Sequence, residues 1–176
     1  MGVAADLDYR VPPPSAFQRL TQKMATTRPG AWVFSRSLRQ LDDAVGRLTR
    51  GRTSAPELLA GLPVLDVTTT GRRSGVPRTS HLIAVPHGET LALLGTNFGQ
   101  PGTPAWALNL ESDPHCTVSH HGTALELVAR PATEDERTAV LAASADVYGG
   151  YLAYQRRITG RWLRIFLLER GRSDPA

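Results

Sequence analysis

Lysine is almost absent from this chain. Of 20 basic residues in 176, only Lys23 is a lysine, which leaves 19 arginines. Cysteine is nearly as scarce. The single Cys116 excludes an internal disulfide framework and any multi-cysteine metal site. It falls in the alternating run Cys116-Thr117-Val118-Ser119, where a small buried strand residue is the expected role. No apolar run is long enough to span a bilayer. The first residues also lack the charged-then-apolar layout of a secretory leader, so a cytoplasmic location is expected. The formal net charge is +4, and a basic surface attracts polyanions: nucleic acid, anionic lipid or an acidic small molecule. Because the arginines are dispersed and no nucleic-acid motif accompanies them, a nucleic-acid partner is not expected.

What is present divides at about residue 60. Residues 1–14 read as an irregular, proline-rich lead ending in Pro12-Pro13-Pro14. Helices are expected over 15–27, with Ser15 as N-cap, and over 29–50. In the second, Trp32, Val33, Leu38, Leu41, Val45 and Leu48 recur mostly at helical spacing, and Gly51 suits the stop. Its other face carries Arg36, Arg39, Arg47 and Arg50. That face reads as solvated, with peripheral contact to an anionic membrane as the alternative. From residue 61 to 170 the pattern turns to short strands, expected over 64–70, 79–85, 90–95, 115–120, 123–129 and 163–168. A Gly/Pro loop is expected over 96–103, a brief helix over 104–111 with Pro104 as its first residue, and a further helix from Thr133. Residues 171–176 form a tail. This is an α+β domain built on a small antiparallel barrel, preceded by a helical N-terminal extension.

Three clusters carry chemistry. The first is Thr68-Thr69-Thr70-Gly71-Arg72-Arg73-Ser74-Gly75-Val76-Pro77-Arg78, with three guanidinium groups, four hydroxyls and two glycines in one turn. Backbone N–H groups and planar cationic forks together suit a phosphate or carboxylate, although a solvated hairpin turn would read the same way. In the second, Pro104-Ala105-Trp106-Ala107-Leu108-Asn109-Leu110, the indole of Trp106 and the amide of Asn109 share one helical face. The third is Tyr148-Gly149-Gly150-Tyr151-Leu152-Ala153-Tyr154, which holds three of the chain's four tyrosines. A stripe of phenols packs a helix or lines a pocket, and the glycines would allow a ligand close approach. The pair His120-His121 points to opposite faces of a strand and is not a metal site. His81 faces either the barrel mouth or solvent.

In this order the three clusters resemble the deazaflavin-dependent nitroreductase family, oxidoreductases that use reduced coenzyme F420. Its pattern is a Thr-Thr-x-Gly-Arg-(Lys/Arg)-(Ser/Thr)-Gly-x-x-Arg hairpin, a Pro-x-Trp-x-x-Asn-Leu helix and spaced tyrosines before the last strand. The resemblance covers residues 61–169 and implies a split β-barrel like that of flavin-binding pyridoxamine oxidases. It implies that Arg72, Arg73, Ser74, Gly75 and Arg78 hold the anionic tail of F420 (an 8-hydroxy-5-deazaflavin). Thr96, Asn97, Phe98 and Gly99 would approach the ring, and Trp106 and Asn109 would fix the tail. Tyr148, Tyr151 and Tyr154 would border the substrate as catalytic groups. The implied reaction is hydride transfer to a quinone, nitroaromatic or other conjugated acceptor. A flavin such as FMN or FAD in the same barrel, or a non-catalytic F420 carrier, is the alternative. The chain departs from its relatives at Thr96-Asn97-Phe98-Gly99, where some carry a lysine, at His81-Leu82-Ile83, and at Arg164 in place of a proline.

Overall fold

A computed structural model describes residues 2–13 and 61–171. After a short helix α1 (Val3–Asp6) come β1 (Leu65–Thr70), β2 (Pro77–Leu82), β3 (Ala84–His87) and β4 (Thr90–Leu94). A 3-10 turn (Asn97–Gly99) and α2 (Ala105–Ser112) lead to β5 (His115–His120) and β6 (Thr123–Pro131). Helices α3 (Glu134–Val147) and α4 (Gly150–Arg157) precede β7 (Ile165–Arg170). The helices expected over 15–27 and 29–50, and with them the membrane-facing arginines, lie outside the described residues.

All seven strands form one antiparallel sheet in the order β2-β1-β5-β6-β7-β4-β3. Strands β2 and β3 are its opposite edges, yet only Ile83 separates them in sequence. The sheet therefore curls until its two edges meet at that corner, which gives the split β-barrel. One continuous strand over 79–85 was expected. The chain instead breaks at Ile83, because a strand cannot pair at both ends of one curled sheet without turning. Two buried phenols hold the corner. The Ala84 N–H donates to the Tyr9 hydroxyl at 2.9 Å, and Tyr151 donates to the Ile83 carbonyl at 2.7 Å.

Burial follows this curl. In β4 and β7 every residue over Leu91–Leu94 and Ile165–Leu168 is buried, in line with their unbroken apolar runs. Leu91, Leu93, Phe166 and Leu168 face the barrel interior with Leu65, Val67 and Val118. Ala92, Leu94, Ile165 and Leu167 face outward under Val140 of α3 and the tyrosines of α4. Strands β1 and β5 instead alternate buried with half-exposed residues. Fully burying each leucine contributes about 1.5–3 kcal/mol, so β4 and β7 anchor the domain.

The lead expected to be irregular is partly built into the core. Val3, Leu7 and Tyr9 are buried there, the Val3 N–H donates to the Glu89 carbonyl at 2.8 Å, and Asp6 pairs with Arg170 at 2.8 Å. Its proline-rich composition hid three apolar residues that join the buried core. Pro104 is the N-cap of α2, in extended conformation, and the helix begins at Ala105. The last strand starts at Ile165, two residues later than expected, and runs on to Arg170. Thr133 caps α3 in a full capping box with Glu136, as expected.

Candidate functional site

The hairpin between β1 and β2 is tightly self-bonded. The Gly71 N–H meets the Val76 carbonyl at 3.0 Å, and the Gly75 N–H meets the Gly71 carbonyl at 2.7 Å. Gly71 has no room for a side chain, since a Cβ would lie 2.8 Å from the Ser74 hydroxyl and 2.9 Å from the Val76 carbonyl. Gly75 takes a φ of 67°, in the left-handed region. Arg72, Arg73, Ser74, Gly75 and Arg78 are all exposed on this loop. Among the described residues no carboxylate pairs with Arg72, Arg73 or Arg78. Arg10, Arg164 and Arg170, by contrast, each meet one, and Arg130 meets two. Three uncompensated guanidinium groups on one rigid turn form a ready receptor for an anion.

Helix α2 fixes that turn from below. Asn109 is buried; its Oδ1 accepts from the Arg72 N–H at 3.1 Å and its Nδ2 donates to Thr69 Oγ1 at 3.0 Å. Trp106 is on the same helical face, as the spacing implied, but it is buried edge-on against Phe166, with ring centroids 6.2 Å apart. The face that sequence offered as a ligand plane therefore looks into the barrel. At the other end of α2, Pro104 lies beside Gly95, so the helix links the hairpin to the loop after β4.

That loop has unusual backbone geometry. Asn97 (φ 48°), Phe98 (φ 54°) and Gly99 (φ 75°) are consecutive left-handed residues, a costly conformation for a bulky phenylalanine. Asn97 Nδ2 donates to the Gly102 carbonyl at 2.9 Å, and the Phe98 ring meets Tyr154 edge-on at 5.9 Å. Thr96 is buried, while Asn97, Phe98 and Gly99 are half-buried. Arg161 holds the loop from behind, with NH1 on the Gly95 carbonyl and NH2 on the Thr96 carbonyl, both at 3.0 Å. Spacing in the sequence gave no sign of Arg161, which lies in an arginine-rich stretch between α4 and β7.

All three tyrosines of the last cluster are buried. Tyr148 lies between α3 and α4, while Tyr151 and Tyr154 sit on α4. The Tyr148 and Tyr154 hydroxyls are 3.0 Å apart. Burial raises the pKa of all three phenols, so each remains an O–H donor at neutral pH. The Tyr151 hydroxyl is engaged at the Ile83 corner. The expectation that Gly149-Gly150 admits a ligand needs correcting at Gly150, because a Cβ there would collide with the Tyr148 ring. The close approach is made by the protein itself.

The remaining candidates settle simply. His81 stands on the outer, exposed face of β2, its Nδ1 2.6 Å from Asp66. His120 is buried, with Nδ1 donating to the Leu7 carbonyl at 2.9 Å, but His121 lies in the following turn rather than on the opposite strand face, and the two rings meet edge-on with centroids 4.0 Å apart. Cys116 is buried, and desolvation, followed by the charges of Glu126 and Asp113, pushes its thiol up to about 12. No group of three metal-binding side chains occurs among the described residues.

Comparison with known proteins gives this geometry a context. An F420H(2)-dependent quinone reductase of Mycobacterium tuberculosis strain H37Rv is 29% identical over 94 residues, covering 53% of this chain and 62% of that protein. The chain thus spans less than two thirds of the curated relatives it matches. A solved structure of an F420-H2 dependent reductase is 29% identical with a TM-score of 0.55, covering 61% of this chain and 94% of the other. Another, described as a domain-swapped dimer, is 26% identical with a TM-score of 0.57, covering 80% of this chain and 99% of its own. The family model of F420H(2)-dependent quinone reductases matches residues 39–170, well over half of the sequence, and the chain belongs to that family.

Proposed function

We propose that this protein is an oxidoreductase that transfers a hydride from reduced F420 to a quinone-type acceptor. The observation that carries this reading is the set of exposed Arg72, Arg73 and Arg78, which meet no carboxylate among the described residues, on a turn locked by Gly71 and Asn109. A tail bearing several negative charges needs several charge-assisted forks, and these three fit it. When bound, the deazaflavin supplies the hydride. The hairpin binds the tail, the Thr96–Gly99 segment borders the ring, and the Tyr148–Tyr154 pair offers a protonated hydroxyl to the acceptor oxygen that gains charge. Trp106 and Asn109 act from inside the barrel by fixing α2 and the hairpin. Tyr151 holds the barrel corner.

The test uses the purified full chain. Titration with oxidised F420 should change the cofactor's fluorescence, and reduced F420 should be consumed when a soluble quinone is added. At about 50 µM cofactor a micromolar site is nearly saturated, so no response from folded protein refutes the proposal. A yellow protein carrying flavin would instead favour FMN or FAD. Binding without turnover against quinones and nitro compounds would favour a carrier.

A further inference from the structure

Arg161 makes three hydrogen bonds to one short loop. NH1 donates to the Gly95 carbonyl at 3.0 Å, and NH2 to the Thr96 carbonyl at 3.0 Å and the Gln100 carbonyl at 3.3 Å. These carbonyls lie more than 60 residues away in sequence, so the guanidinium ties the β7 approach to the loop after β4. It does so at a cost, because Nε is buried without a hydrogen-bond partner.

The consequence follows from peptide geometry. In a trans peptide the C=O of one residue and the N–H of the next point in opposite directions, and no described peptide is cis. Drawing the Thr96 carbonyl toward Arg161 turns the Asn97 N–H away from it. Gln100 is followed by Pro101, which has no N–H to redirect. The left-handed conformations of Asn97 and Phe98 lie between these fixed points, so the bonds to Arg161 help to offset their strain. Phe98 is thereby kept against Tyr154.

We infer that Arg161 is a positioning residue: it clamps three carbonyls of the Gly95–Gln100 loop and so presents the Asn97 N–H and the Phe98 ring to the bound cofactor ring. The inference rests on the proposed reading that this loop borders the deazaflavin. Lysine in its place keeps the charge but lacks the planar fork that reaches three oxygens.

The test compares Arg161→Lys and Arg161→Gln with the unaltered chain. Without cofactor, amide exchange over residues 96–100 should rise by about tenfold in either variant while β6 stays protected. With saturating reduced F420 and a soluble quinone, hydride transfer in a single turnover should fall by about 100-fold through misplacement of the ring. The affinity for F420, set by the hairpin arginines, should stay within about threefold. Unchanged exchange and an unchanged saturated rate in Arg161→Lys overturn the inference. So does loss of rate only in step with affinity and melting temperature, or failure of Arg161→Lys to fold, since either makes Arg161 a support of the fold. If the unaltered chain does not bind F420, the cofactor reading falls, and the exchange measurement alone still decides whether Arg161 clamps the loop.

Discussion

Replacing Asn109 by alanine should loosen the hairpin without touching an arginine. The substitution removes two hydrogen bonds, to the Arg72 N–H and to Thr69 Oγ1, at a position that is 6% exposed. Each bond contributes about 1 kcal/mol net, and the part-buried Arg72 N–H left behind adds about 1 kcal/mol more. Alanine returns roughly 0.5 kcal/mol through its better helix propensity in α2. The expected loss is therefore about 2–3 kcal/mol, or a fall of roughly 5–10 °C in Tm for a chain of this size. Thr69→Val keeps the side-chain shape and deletes only the hydroxyl. Combined with Asn109→Ala in a double-mutant cycle, it should show a coupling of about 1 kcal/mol. Thermal and urea unfolding measure the stabilities, and F420 titration measures the hairpin, whose affinity should drop although Arg72, Arg73 and Arg78 remain. A stable Asn109→Ala protein with zero coupling to Thr69 would refute the claim that this amide fixes the hairpin.

Arg72→Ala and Arg78→Ala should each weaken F420 binding by about 1.5–3 kcal/mol, with a smaller loss at high salt because both side chains are exposed. Tyr151→Phe removes the bond to the Ile83 carbonyl, so Tm should fall while turnover changes little, whereas Tyr154→Phe should lower turnover by roughly 10–1000-fold. The third expectation concerns acid. Arg130 first, and then the Thr133 N–H, hold the Glu136 carboxyl down to about 2 from 4.5. A depressed carboxyl stabilises the fold above its unfolded pKa, and that stability is lost as pH falls from about 4.5 through about 2. After discounting for the part-exposed Arg130, the contribution is about 1–2 kcal/mol. Glu136→Gln should flatten the acid limb of a stability–pH curve by that amount, and an unchanged limb would show that the pair is screened out.

Much of the barrel was legible because its signals are local. The strand over 115–120 matches β5 end for end, since an alternating run bounded by turns has one reading. The capping box at Thr133 was equally readable, as all its donors and acceptors lie within four residues. The break at Ile83 was not. It is imposed by closure of the sheet, which brings β2 and β3 to opposite edges, and nothing in His81-Leu82-Ile83-Ala84 marks it. Tyr9 shows the same limit, because its hydroxyl is held by Ala84, 75 residues away.

The site divides along the same line. Charge was readable: three arginines on a glycine-bearing turn are exposed in the fold and meet no carboxylate among the described residues. Direction was not. A spacing of three puts Trp106 and Asn109 on one face of α2, but only the packing of Phe166 and the placement of Thr69 decide that this face looks inward. The tyrosines extend the point. Their spacing is helical, yet Tyr148 stands outside the helix, and Gly150 lacks a side chain because the Tyr148 ring occupies that space. Residues that contact a ligand through their own charge can be found in a sequence by composition. Residues that act by holding a backbone in place are harder to read: the motif marks Asn109 but not that its amide holds the Arg72 N–H, and Arg161 carries no mark at all and emerges only when the chain is folded.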